Sequence, residues 1–136
     1  MYLKSSVDAG IGTIQFQSRT PALDNPDLRK DLKSALKILS GMKGLKAIFL
    51  RGPDGGLTSL TRQDHTDQLK AGVPFTETLR QLDQSPVPII ILLSGQIRDS
   101  LVDMALAAHY RLGVMELNIS FTGWKQRYFQ SHGSTQ

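Results

Sequence analysis

The chain has 136 residues, 40% of them hydrophobic, with 16 basic against 12 acidic side chains, a net charge of +4 and no cysteine. That length and apolar share suit one domain with a single core. The absence of cysteine excludes disulfides, thiolate nucleophiles and cysteine-bound metals, and fits a reducing, cytoplasmic setting. The longest apolar run, near Ile89–Leu93, is of strand length, so no membrane span is expected, and "MYLKSSVDAG" has no apolar secretory core.

In chain order, "IGTIQFQ" at 11–17 alternates apolar and polar residues and predicts a half-buried strand. "TPALDNPD" at 20–27 is a loop ending in Asn25-Pro26, an N-cap side chain followed by a residue whose φ is already fixed. The helix that follows carries Leu28, Leu32, Ala35, Leu36 and Leu39 on one face and ends at Gly41 and Gly44. "LKAIFLRG" at 45–52 is a second strand, "PDGGLTS" at 53–59 a turn, and the polar stretch 61–73 a loop or loose helix. "FTETLRQLDQ" at 75–84 is a helix, stopped by "SPVP". "VPIIILL" at 87–93 is a buried strand, followed by a helix over about 99–109 and short strands at 110–114 and 118–121. The polar tail 131–136 is expected to fray. This alternation predicts a single α/β domain over 1–136 with mostly parallel strands.

The charge excess is mild. Lys30, Lys33, Lys37, Lys43 and Lys46 lie at helical or loop spacing, which reads as a solvated face, or as attraction to a polyanion such as a nucleotide phosphate. Basic and aromatic residues are not interleaved, so nucleic acid is not expected. His65, His109 and His132 share no ligand spacing, and no metal site is expected. "GPDGG" lacks the Lys-Ser/Thr of a phosphate loop, and "GIG" at 10–12 precedes a strand rather than following one. Two loops remain: "RGPDGGLTS" and "SGQIRDS", each at the C-terminal end of a strand, where α/β folds place ligands. If those strands are neighbours, N–H groups from both loops can converge on one oxygen, as an oxyanion hole requires.

In order and spacing together, these segments resemble the crotonase (enoyl-CoA hydratase/isomerase) superfamily. "GIGTIQF" is similar to its opening strand, "PALDNPDLRKDLKSALKIL" to its P-x-N-A-L loop and first helix, and "LKAIFLRGPDGGLTSL" to the strand leading into its A-G-A-D-L loop. "SPVPIIILLSGQIRDSLVDMALAAHYRLG" is similar to its N-G-x-x-x-G-G-G-x-E-L-A-L-A segment, and "ISFTGWK" to its F-x-x-P-E segment. The resemblance implies a ββα spiral core of the ClpP/crotonase type and an acyl-CoA thioester as ligand, with no other cofactor. It places Gly56 and Ser100 at the two oxyanion donors, and Asp103 and Lys125 at the two catalytic glutamates. Arg19, Ala22, Asp24 and Arg62 fall beside the coenzyme A phosphates and adenosine.

The departures are informative. The Gly-Gly-Gly turn is Asp99-Ser100-Leu101, which brings a negative charge near a developing enolate unless Arg98 offsets it, and adds bulk. Asp103 is one methylene shorter than glutamate, and a lysine at 125 does not hold and activate water as a carboxylate does. Each residue also has a structural reading. Asp99 caps a helix, Asp103 favours its dipole, Gly55 and Gly56 make a turn, and Lys125 beside Trp124 is a surface lysine. Family members are roughly twice this length. The expectation is a shortened domain without the C-terminal helices that cover the acyl pocket, with apolar surface left for a second copy or a protein partner. Two functions follow: a degenerate member without hydratase activity that binds an acyl thioester or serves assembly, or a lyase or isomerase with Asp103 as its single acid/base.

Overall fold

The computed structural model describes residues 2–23, 25–59, 75–98, 100–113 and 118–120. It begins with a hairpin of β1 (Leu3–Asp8) and β2 (Ile11–Phe16), paired antiparallel from Leu3↔Phe16 to Asp8↔Ile11. The two-residue turn puts Ala9 at φ 53° and Gly10 at φ 82°, the left-handed pair whose twist matches that of a hairpin. β1 is not legible in the sequence: Lys4, Ser5 and Ser6 show no apolar alternation, and the strand is an exposed edge defined by its pairing with β2.

α1 (Pro26–Ser40) forms as expected. Asn25 Oδ1 accepts the Asp27 N–H at 2.8 Å, Pro26 opens the helix, and the Gly41 N–H closes it on the carbonyls of Ile38 and Leu39. Its buried face (Leu28, Leu32, Ala35, Leu36, Leu39) joins Ile14 and Phe16 of β2 in the core. β3 (Ala47–Arg51) pairs parallel with β2, and β4 (Ile89–Leu93) parallel with β3. Both strands start two residues later than the apolar runs suggest. Before β4 stands Pro88, which has no N–H to give a ladder and whose carbonyl accepts the N–H of Ile48. α2 (Phe75–Asp83) lies between β3 and β4 in sequence and buries Leu79 and Leu82. Lys33 of α1 reaches Glu77 of α2 at 2.6 Å.

After β4 the chain turns at Ser94-Gly95, with Gly95 at φ 60°, into the short β5 (Gln96–Arg98) and then α3 (Ser100–Ala107). β6 (Tyr110–Gly113) returns beside β4 in parallel, and β7 (Asn118–Ser120) pairs parallel with β5 in a separate two-stranded sheet. The main sheet runs β1-β2-β3-β4-β6. β1–β2–α1 and β4–β5–α3 are each a strand–strand–helix unit, so the α/β architecture and its ββα core hold. β5 is a correction to the sequence reading, which took "SGQIRDS" at 94–100 as a loop. Three residues beside a glycine give no periodic signal, and β7 supplies the partner that makes them a strand. Among the described residues, no helix is long and apolar enough to cross a membrane, and no group of His, Asp and Glu is placed to hold a metal ion. Residues 61–73, His65, Trp124 and the tail with His132 lie outside the described residues.

Candidate functional site

β3 and β4 are parallel neighbours, so the two loops singled out in the sequence leave the sheet side by side. Hydrogen bonds lace them together. Leu57 bridges to Leu93: its N–H donates to the Leu92 carbonyl at 2.8 Å and its carbonyl accepts the Ser94 N–H at 3.0 Å. The Ser94 hydroxyl donates to the Gly56 carbonyl at 3.1 Å, and the Thr58 hydroxyl to the Gln96 carbonyl at 2.9 Å. The Ser59 hydroxyl accepts the Arg98 N–H at 2.9 Å and donates to the Arg98 carbonyl at 3.3 Å.

The backbone donors can be accounted for one by one. Leu57 gives its N–H to Leu92, Thr58 to the Arg19 carbonyl at 2.8 Å, and Ser59 to the Gln96 carbonyl at 2.8 Å. The N–H of Gly56 has no acceptor among the described residues. That of Ser100 opens α3 and has none within the helix. Only glycine fits at 56, because a Cβ there would lie 2.5 Å from the Leu93 carbonyl carbon and 2.8 Å from the Ser94 nitrogen. Close backbone approach therefore fixes this glycine, whatever else it does.

α3 is buried along its first turn and a half. Ser100 is 7% and Asp103 3% exposed, one turn apart on the helix. The carboxylate of Asp103 sits in the first turn, where the partial positive charge of the helix end favours it. Leu101, where the resembled motif has glycine, is 3% exposed and belongs to the core. Its extra bulk goes into the interior. Arg98 follows Ile97, which is core, and its Nε is buried with no acceptor among the described residues.

Of the residues expected near a coenzyme A moiety, Arg19 lies beside the Gly52–Ser59 loop, since its carbonyl holds Thr58 and its Cα is 3.5 Å from a Cβ built on Gly52. Its guanidinium is half exposed, with Nε 3.9 Å from Asp54 Oδ1, a weak surface pair. Ala22 is exposed, and its carbonyl accepts the Asn25 N–H at 2.9 Å, so it shapes the entry to α1. Asp24, Arg62, Asp99 and Lys125 lie outside the described residues. The structure thus brings the Gly56 loop, Ser94 and Arg19 together in one cluster, and sets Ser100 and Asp103 on one turn of α3. The sequence reading missed the hydroxyl clamps of Ser94, Thr58 and Ser59. Their signal was present as serine and threonine just past strand ends, but which carbonyl each one meets depends on strand order.

No protein-family model and no curated protein matches the chain. Solved structures do. An enoyl-CoA hydratase from Geobacillus kaustophilus HTA426 superposes at a TM-score of 0.75 with 20% identity, over 100% of this chain and 55% of that one. A methylmalonyl-CoA decarboxylase gives 0.73 and 22%, over 90% of this chain and 48% of that one. An enoyl-CoA hydratase/isomerase from Xanthobacter autotrophicus Py2 gives 0.70 and 16%, over 92% and 50%. At such identities the likeness carries the fold alone: this chain has the crotonase fold, and it spans about half the length of the structures it matches.

Proposed function

We propose that this chain binds an acyl thioester of coenzyme A, with the amides of Gly56 and Ser100 polarising the thioester carbonyl, and that it does not hydrate enoyl thioesters. The observation that carries this reading is the pair of laced loops at the ends of β3 and β4, in which Leu57, Thr58 and Ser59 are all satisfied and Gly56 keeps a free donor among the described residues. Preorganised backbone donors are what a developing oxyanion needs. Two of the superposed structures are an enoyl-CoA hydratase and a methylmalonyl-CoA decarboxylase, which supports a thioester as ligand class. Arg19 and Arg62 would meet coenzyme A phosphates, with Ala22 and Asp24 along the adenosine. The proposed loss of hydratase chemistry rests on the lysine at 125 and the aspartate at 103, the positions where the resemblance to the crotonase family implies two glutamates.

A second reading is favoured by one observation. Asp103 is 3% exposed, one turn from Ser100, and a carboxylate so placed can serve as the single acid/base of a lyase or isomerase acting through an enolate. Titration with a fluorescent acyl-CoA tests the first reading, and absence of binding at millimolar ligand overturns both. Turnover of crotonyl-CoA or a 3-enoyl-CoA that disappears in Asp103→Asn selects the second. We also propose that a second copy or a protein partner covers β6, the edge of the main sheet among the described residues, where Tyr110 is 61% and Leu112 48% exposed on the same side. Light scattering that gives a clean monomer, with no partner recovered, rejects it.

A further inference from the structure

Glycine lets the backbone take many directions, so the direction of the Gly56 N–H must be imposed by its neighbours. No peptide in the described chain is cis, and a trans peptide is planar with its N–H and C=O antiparallel. The Gly56 N–H therefore points opposite the Gly55 carbonyl, which accepts the Gly52 N–H at 2.8 Å. On its other side, the peptide joining Gly56 to Leu57 is held at both ends. Its N–H donates to the Leu92 carbonyl at 2.8 Å, and its carbonyl accepts the Ser94 hydroxyl at 3.1 Å. Of these three restraints only the last is made by a side chain. Ser94 is 8% exposed, its hydroxyl is committed in a buried position, and its own N–H is fixed on the Leu57 carbonyl at 3.0 Å. Thr58 and Ser59 fasten the same two loops further along without touching Gly56.

We propose that Ser94 is a positioning residue for ligand binding: its buried hydroxyl holds the Gly56 carbonyl and so aims the Gly56 N–H at the carbonyl oxygen of a bound thioester. The role rests on the thioester reading above. The test uses the full chain and butyryl-CoA labelled with carbon-13 at the thioester carbonyl, followed by isotope-edited infrared spectroscopy and titration. In the wild type, binding lowers the carbonyl stretching frequency. Ser94→Cys keeps nearly the same volume with a weaker donor, and Ser94→Ala has none. Both are expected to lose about half or more of that shift and about tenfold in affinity, while Ser94→Thr restores the shift. Thr58→Ala cuts a more exposed clamp between the same two loops that does not touch Gly56, so it lowers thermal stability slightly and leaves the shift intact. A full shift in folded Ser94→Cys overturns the role of Ser94 while leaving thioester binding standing. Absence of binding or of any shift in the wild type overturns the thioester reading, and the role of Ser94 falls with it.

Discussion

His109 and Ile89 are joined twice: the Ile89 N–H donates to His109 Nδ1 at 3.0 Å, and the His109 N–H donates to the Ile89 carbonyl at 3.0 Å. Acceptance at Nδ1 leaves the imidazole proton on Nε2. The pair lies where α3 hands over to β6, so the side chain completes the end of the β4 ladder before Tyr110 takes up the register with Ile90. His109→Phe keeps a ring and removes the acceptor, leaving a strand amide unpaired. The expected loss is about 1 kcal/mol, seen as a lower midpoint in urea with the slope unchanged. A midpoint equal to that of the wild type would show that water replaces the imidazole.

The β1–β2 turn holds an alanine in the left-handed region, with Ala9 at φ 53° before Gly10 at φ 82°. An L-residue with a Cβ pays about 1–2 kcal/mol there, and asparagine less, which is why Asn-Gly is the preferred pair in such turns. Ala9→Asn is expected to stabilise the fold by about 1 kcal/mol, a rise in Tm of about 3–5 °C for a domain of this size. Differential scanning calorimetry reads it directly. No rise would place the turn strain below the scale assumed.

Gly56 has no room for a methyl group, since the nearest backbone atom would stand 2.5 Å from it. Both neighbours in the clash are backbone, so neither can step aside as a flexible side chain would. Gly56→Ala is expected to cost about 3 kcal/mol, the upper end of ordinary overpacking, and to abolish acyl-CoA binding. Gly55→Ala, where a Cβ meets nothing within 4 Å, serves as the matched control. Equal stability of the two variants would contradict the close approach of the loops.

Lys33 and Glu77 tie α1 to α2 at 2.6 Å. The hydrogen bond from Lys33, then its charge, lowers the Glu77 pKa below the usual carboxylate value, against a smaller opposing effect of burial. A carboxylate with a depressed folded-state pKa adds stability that is present above the unfolded pKa and is lost as pH falls through the folded one. The pair is exposed, so the effect is small and screened by salt. The difference in Tm between wild type and Glu77→Gln is expected to be positive at neutral pH, to shrink in acid below the ordinary glutamate range, and to shrink again at 1 M salt. A difference independent of pH would point to packing as its source.

Much of the fold is legible in the residues because the signals are local. Asn25-Pro26 starts α1 through a side-chain acceptor only two residues from the N–H it caps, and the run at 89–93 is apolar without interruption because it is buried in a parallel sheet. β1 and β5 are different. Lys4-Ser5-Ser6 and Gln96-Ile97-Arg98 become strands only because Ile14 and Asn118 and their neighbours arrive opposite them, and those partners are set by chain topology. The candidate site divides in the same way. Residues near Gly56 and Ser100 stand out by their place after strands. Their availability as donors depends on which of the surrounding N–H groups are already spent, and that follows from the adjacency of β3 and β4.

The sequence by itself determined the order of the helices and of β2, β3, β4, β6 and β7, the core face of α1, the burial of β4, and the loops in which a ligand would sit, because periodicity, capping and turn chemistry act over a few residues. Only the tertiary structure decided that the hydroxyl of Ser94 meets the carbonyl of Gly56, that Leu101 turns into the core, and that the Arg19 carbonyl meets the Gly52–Ser59 loop at Thr58. These contacts join residues far apart in the chain, and their geometry exists only once the parallel strands have paired.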